Sequence, residues 1–157
     1  MVRLVPMTED ELELHLEKSI PEYAAENVVA GYWSEDEALE HSRKAFHGLL
    51  PQGVKTENNY LFRIQVEETR EKIGMLWMKH EVPRPQGFIY DFAIDETQRG
   101  KGYGRQAMLA LEEFAKELEF ESLALHVFTK NEVAKGLYES LGYKVTSQNM
   151  AKRLKHL

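Results

Sequence analysis

The chain has 157 residues, a formal net charge of -6 and no cysteine, so it suits one domain with a real core and has no disulfide, Cys-ligated zinc or acyl-cysteine intermediate. A reducing cytoplasm is its natural setting, and the acidic balance argues against a nucleic-acid partner held through phosphates, which wants a basic face. The N-terminus lacks the basic flank and apolar run of a signal peptide, and no stretch approaches the roughly 18 apolar residues of a membrane span, so no membrane partner is expected.

With no repeat, low-complexity tract or linker, residues 1–157 are expected to form a single domain. Arg3 to Pro6 is expected as a short strand, and Thr8-Glu9-Asp10-Glu11 is a capping box that opens a helix. A second capping box, Ser34-Glu35-Asp36-Glu37, should start a helix carrying Ala38, Ala45, Phe46, Leu49 and Leu50 that ends before Pro51. Tyr60 to Glu67 and Lys72 to Lys79 alternate as strands around a charged turn and predict a hairpin, with Phe88 to Ile94 as the third strand of that sheet.

From Tyr103 the period changes. Ala107, Met108, Leu111, Phe114, Ala115 and Leu118 recur at three- and four-residue steps, the apolar face of an amphipathic helix. Leu123 to Phe128 is expected as a strand, Glu132 to Leu141 as a shorter helix closed by Gly142, and Tyr143 to Thr146 with Asn149 to Leu154 as two last strands. This order implies a mixed α/β fold: one mixed, mostly antiparallel sheet with helices on both faces and one parallel crossover.

The sharpest local signal is Gln98-Arg99-Gly100-Lys101-Gly102-Tyr103-Gly104, between the strand ending at Ile94 and the long helix. A strand that passes through glycines into a helix aims unpaired backbone N–H groups and the positive end of the helix dipole at one point, which suits phosphate. The alternative is a plain flexible turn. The spacing is not that of a P-loop. A dinucleotide fingerprint would need its third glycine where Arg105 stands, and an acidic residue to close the next strand, which instead ends His126-Val127-Phe128-Thr129.

Arg99, Gly102 and Gly104 in this spacing resemble the pyrophosphate-binding motif of the GNAT N-acetyltransferase family, and Tyr90-Asp91-Phe92-Ala93-Ile94-Asp95 is similar to the strand that precedes it there. Asn131-Glu132-Val133-Ala134-Lys135-Gly136-Leu137-Tyr138, continuing to Gly142-Tyr143, resembles that family's second signature. The two occur in the family's order, and the likeness covers roughly Tyr60 to the C-terminus. Glu96 stands where a proline is common. Within the family the chain looks nearest to the branch that includes ribosomal-protein N-terminal acetyltransferases.

The resemblance implies acetyl transfer from acetyl-CoA, as cosubstrate, to a primary amine by direct attack in a ternary complex, with no metal; His15, His41, His47 and His80 have no ligand-like spacing. It implies a coenzyme site from Phe92, Ala93, Ile94, Arg99, Gly100, Lys101, Gly102, Tyr103, Gly104, Asn131 and Tyr138. Tyr138 would be the general acid for the departing thiolate, or else a packed tyrosine. Asn131 would contact the pantetheine, cap its helix, or both. His126 stands where some members carry a glutamate that accepts the amine's proton; it is either that base or a residue lining the cleft, and Asp91 is the other candidate. Tyr23, Tyr32 and Trp33 would wall the acceptor cleft or pack in the core. A homodimer is compatible with the chain. The other reading is a domain of the same fold that senses acyl-CoA without turnover.

Overall fold

The computed structural model describes residues 1–129 and 131–155. Five strands form one sheet in the order β1-β2-β3-β4-β5, with β1 at Val2–Pro6, β2 at Asn59–Val66, β3 at Lys72–His80, β4 at Gln86–Ile94 and β5 at Ser122–Leu125. The first four pair antiparallel, and β4 pairs parallel with β5. The parallel pair is joined by α3 (Tyr103–Glu117), while α1 (Glu9–Val29) and α2 (Glu35–Leu49) lie between β1 and β2, and α4 (Glu132–Ser140) follows β5.

The strand alternation assigns the two faces. On one side Ile64, Leu76, Met78 and Ile94 pack with Ala107, Met108 and Leu111 of α3. On the other, Leu61, Met75 and Trp77 pack with Leu12 and Ile20 of α1 and Phe46 of α2. Successive residues of β3 thus go to opposite cores, which places helices on both faces of the sheet. The family-like mixed sheet expected from the sequence is the one that forms.

Local signals explain the helix starts unevenly. Thr8 closes its capping box, with its side chain accepting from the Glu11 N–H and Glu11 Oε1 accepting from the Thr8 N–H at 3.0 Å. Ser34 caps α2 without a side-chain hydrogen bond, so the second capping box is not made and α2 starts on its backbone geometry and first-turn acids. Helix α1 runs through Pro21, and the buried Ser42 of α2 donates to the Ile20 carbonyl at 2.7 Å, tying the two helices at that point.

Two expectations need correction. The fifth strand stops at Leu125 instead of Phe128, so His126 lies just beyond it. The two strands expected at Tyr143 to Thr146 and Asn149 to Leu154 do not form. Val145, Met150 and Leu154 are highly exposed, and a short alternating run with neither a partner ladder nor a face to bury gains too little to stay extended.

Gly74 in β3 faces the end of β4 so closely that a Cβ there would overlap the Ala93 carbonyl oxygen and crowd the Ile94 Cα. Backbone cannot yield as a flexible side chain can. Gly74→Ala is expected to cost about 1–3 kcal/mol and to lower the melting temperature by several degrees, read by thermal unfolding against the wild type.

Candidate active site

The site is built where β4 leaves its neighbour. Parallel pairing runs from Gln86↔Ser122 to Ile89↔Leu125 and ends there, while β4 continues to Ile94. The edge from Tyr90 to Ile94 that would face β5 therefore has no ladder; strand alternation turns the backbone of Phe92 and Ile94 to that open edge, while the backbone of Ala93, expected from the sequence to join the coenzyme site, faces Met75 of β3. On its other edge β4 carries a bulge: Trp77 pairs with Asp91 but Met78 pairs with Ile89, so Tyr90 is the extra residue. The bulge puts Tyr90 against Trp77, stacked at 4.9 Å, and sends Asp91 to the α1 side of the sheet.

Immediately after β4 comes a single 3₁₀ turn, Glu96–Gln98, and then the glycine turn. Glu96 opens the 3₁₀ turn. Arg99 Nε donates to the Ile94 carbonyl at 2.9 Å, which ties the turn to the strand end, and Lys101 Nζ reaches Gln98 Oε1 at 3.1 Å. Gly100 and Gly102 have φ of +80° and +82°, and no heavy atom lies within 4 Å of where a Cβ would be. Both positions need glycine for the left-handed backbone, and both face open space at the start of α3. Gly104 is different: it lies where α3, β4 and α4 meet, and a Cβ there would make ordinary van der Waals contact with Leu137, Phe92 and Ile94 at 3.5–3.8 Å.

That meeting point couples the turn to Tyr138, one residue after Leu137. The Tyr138 ring lies 6.5 Å from Phe92 and 5.8 Å from Tyr143. Burial, and secondarily the charge of Asp91, push its phenol up to about 12. Asn131 caps α4 through its side-chain oxygen, which accepts from the Ala134 N–H at 3.2 Å.

Tyr138, Asn131 and His126 line one cavity of about 1550 Å³ between the end of α1, the flank of α3, the segment after β5 and α4. The glycine turn lies outside that cavity, and Phe92, Asp91 and Leu137 are not among its lining residues either. His126 is exposed, its ring edge-on to Phe128 at 4.8 Å. On the α1 side the cavity is lined by Glu26 and Tyr32. The Glu26 carboxyl is raised from the usual range by desolvation, then by Asp91 and Glu22. Tyr23 and Trp33 instead pack edge to face at 5.5 Å, Tyr23 also against Phe46. Among the described residues no group of His, Asp and Glu is placed to hold a metal ion, and no helix is long and apolar enough to cross a membrane.

One cluster was not legible in the sequence. His15 and Ser19, one turn apart on α1, converge on Asp91: His15 Nε2 is 2.8 Å from Asp91 Oδ2 and 2.7 Å from Ser19 Oγ, which is 3.4 Å from the same carboxylate oxygen. The i, i+4 spacing was the available signal, but nothing local announces a partner on β4.

Comparison with known proteins agrees with this geometry. A profile of the acetyltransferase (GNAT) family matches residues 22–143. The chain is 38% identical over 155 residues to the uncharacterized N-acetyltransferase YycN of Bacillus subtilis (strain 168), covering 98% of this chain and 99% of that one. It is 40% identical over 153 residues to YdgE of the same strain, likewise described as an uncharacterized N-acetyltransferase, covering 96% and 97%. The crystal structure of YycN superposes with a TM-score of 0.93 at 37% identity, over 99% of this chain and 100% of that one. The fold is also that of the PaiA N-acetyltransferase of Thermoplasma acidophilum, solved with coenzyme A (TM-score 0.69, 18% identity, 95% and 93% covered). The open edge of β4, the glycine turn at the start of α3 and these matches together place the chain in the GNAT family of acetyl-CoA-dependent N-acetyltransferases.

Proposed function

We propose that acetyl-CoA lies with its pyrophosphate on the Gly100–Gly104 turn and its pantetheine along the open edge of β4, and that Tyr138 and His126 serve the transfer to a primary amine. The observation that carries this is the pairing of a positive-φ glycine turn, with empty space at Gly100 and Gly102, and an unladdered strand edge leading away from it toward Tyr138. Free N–H groups of the first turn of α3, with Arg99 and Lys101 beside them, suit a diphosphate. Phe92 and Ile94 supply edge amides for an extended amide chain and for the thioester oxygen, while Ala93 between them holds the strand to β3. Tyr103 and Asn131 flank that path.

Acetyl transfer to an amine needs a neutral nitrogen, a polarised carbonyl and a protonated leaving sulfur. Tyr138, on α4, keeps its proton at any ordinary pH and gives it to the sulfur. His126, exposed at the cavity wall, takes the first proton from the incoming ammonium and passes it to solvent. A domain that only senses acyl-CoA would need neither group.

The likeness to the ribosomal-protein branch puts a peptide α-amine on the acceptor panel beside lysine, polyamines and small antibiotic-like amines. Thiol release from acetyl-CoA across that panel tests the assignment; the absence of turnover with retained coenzyme binding would favour the sensing domain. For His126, the comparison is His126→Gln, which keeps polarity but has no base, against wild type on one acceptor. The mutant is expected to lose rate; an unaltered rate would leave His126 as cleft lining alone.

A further inference from the structure

We propose that helix α1 is part of the proton-transfer machinery: His15 and Ser19 are positioning residues that hold Asp91 where its carboxylate takes the second proton from the acetylated nitrogen. This rests on the acetyltransferase reading above and adds to it a group and a helix.

The geometry is specific to one oxygen. Both contacts fall on Asp91 Oδ2, from His15 Nε2 at 2.8 Å and Ser19 Oγ at 3.4 Å, and Ser19 Oγ braces the imidazole at 2.7 Å. With the carboxylate ionised, the His15 Nε2–H donates to it and to Ser19 Oγ, and the Ser19 hydroxyl donates to Oδ2. Oδ1 has no protein hydrogen-bond partner among the described residues, and the Asp91 side chain keeps 24% of its surface exposed. Ser19 is buried and the His15 side chain is 16% exposed, so the two donors are fixed while the carboxylate they hold is only partly covered.

Position supports the role. Asp91 immediately precedes Phe92, at the point where β4 loses its β5 ladder and the bulge turns the chain. Its charge is felt both by Tyr138 and by Glu26, two residues that line the cavity. A structural ion pair between α1 and the sheet would not need that place.

The protons then balance. An amine arrives as an ammonium and loses one proton to His126. The neutral nitrogen attacks the thioester carbon, a C–N bond forms and the nitrogen of the adduct becomes positive. That nitrogen gives its remaining acidic proton to Asp91 Oδ1 as the C–S bond breaks and Tyr138 protonates the sulfur. The Asp91 carboxyl and the Tyr138 phenolate next exchange one proton, which restores both groups. The net products are the amide, the free thiol and one proton released through His126.

The test uses the full chain with acetyl-CoA and butylamine, a plain primary amine. Asp91→Asn is expected to lower kcat by about 10²–10⁴-fold, with the coenzyme A-induced thermal shift retained. His15→Leu should lower kcat by about 10-fold, since displacement of a reacting group by about 1 Å can cost up to about 10²-fold, while His15→Gln, which keeps an N–H donor, should recover most of that loss. In the Asp91→Asn background His15→Leu should do nothing further, because it acts through the carboxylate. Wild-type kcat in Asp91→Asn, or a His15→Leu loss that persists in full in that background, would overturn the proposal. Should Asp91→Asn not fold, equal rates for His15→Leu and His15→Gln would overturn it as well. A wild type that gains no stability from coenzyme A and acetylates no amine would instead defeat the underlying reading, a result visible before any variant is made.

Discussion

Tyr138→Phe is expected to lower kcat by about 10²–10⁴-fold, the range for loss of one acid group, while coenzyme binding is largely kept. The Tyr138 side chain, on α4, is partly buried beside Phe92 and Tyr143, and the fold holds it neutral by desolvation and by the nearby charge of Asp91. With its phenol raised to about 12, Tyr138 stays protonated over the ordinary pH range, so it should contribute no alkaline limb to the pH–rate profile up to about pH 10. A thiolate, by contrast, leaves more easily when a proton is delivered to it, so removal of the hydroxyl should be felt mainly when the sulfur departs. Steady-state kinetics of Tyr138→Phe, with coenzyme A binding followed by thermal shift, separate the effects. A wild-type kcat in the variant would make Tyr138 a packing residue and leave the sulfur to water.

Gly102→Val is expected to abolish the stabilisation that coenzyme A gives the wild type. Two costs coincide at this position. The backbone sits at φ +82°, where a β-branched residue is strained, and the new side chain would project into the open space where phosphate approaches the first turn of α3. A ligand held at about 100 times its Kd adds about 2.7 kcal/mol to folding stability, so the loss is readable as a vanished melting shift. Strain alone is controlled by Gly31→Val: Gly31 has φ +86° and no neighbour within 4 Å, but lies in the turn after α1. That variant should lose stability without ligand yet keep its shift. NAD and ATP should shift the wild type less than coenzyme A, because the open strand edge suits an extended pantetheine. If Gly102→Val still binds coenzyme A normally, the turn is not the diphosphate site.

Features whose signal is local could be read from the residues alone. The capping box at Thr8, the period of α3 from Tyr103, the alternation of β2 and β3, and the strand–glycine–helix order around Gly102 each follow from residues within a turn or two of one another. Hence element order, the acetyltransferase likeness and the placing of Tyr138 and Asn131 were legible before any coordinates. Alternation without a partner is weaker evidence, which is why the run after Gly142 read as strands but stays exposed, and why β5 ends short of His126. What depends on residues far apart in sequence required the packed fold. The direction of Asp91 turned on a bulge at Tyr90, set by the register of β3 against β4, which sends it toward His15 of α1. The partnership of Asp91 with His15 joins groups 76 positions apart, and neither residue's neighbours encode it. Side-chain periodicity assigns a face, but only packing of α1 onto the sheet brings an imidazole and a carboxylate within hydrogen-bond reach.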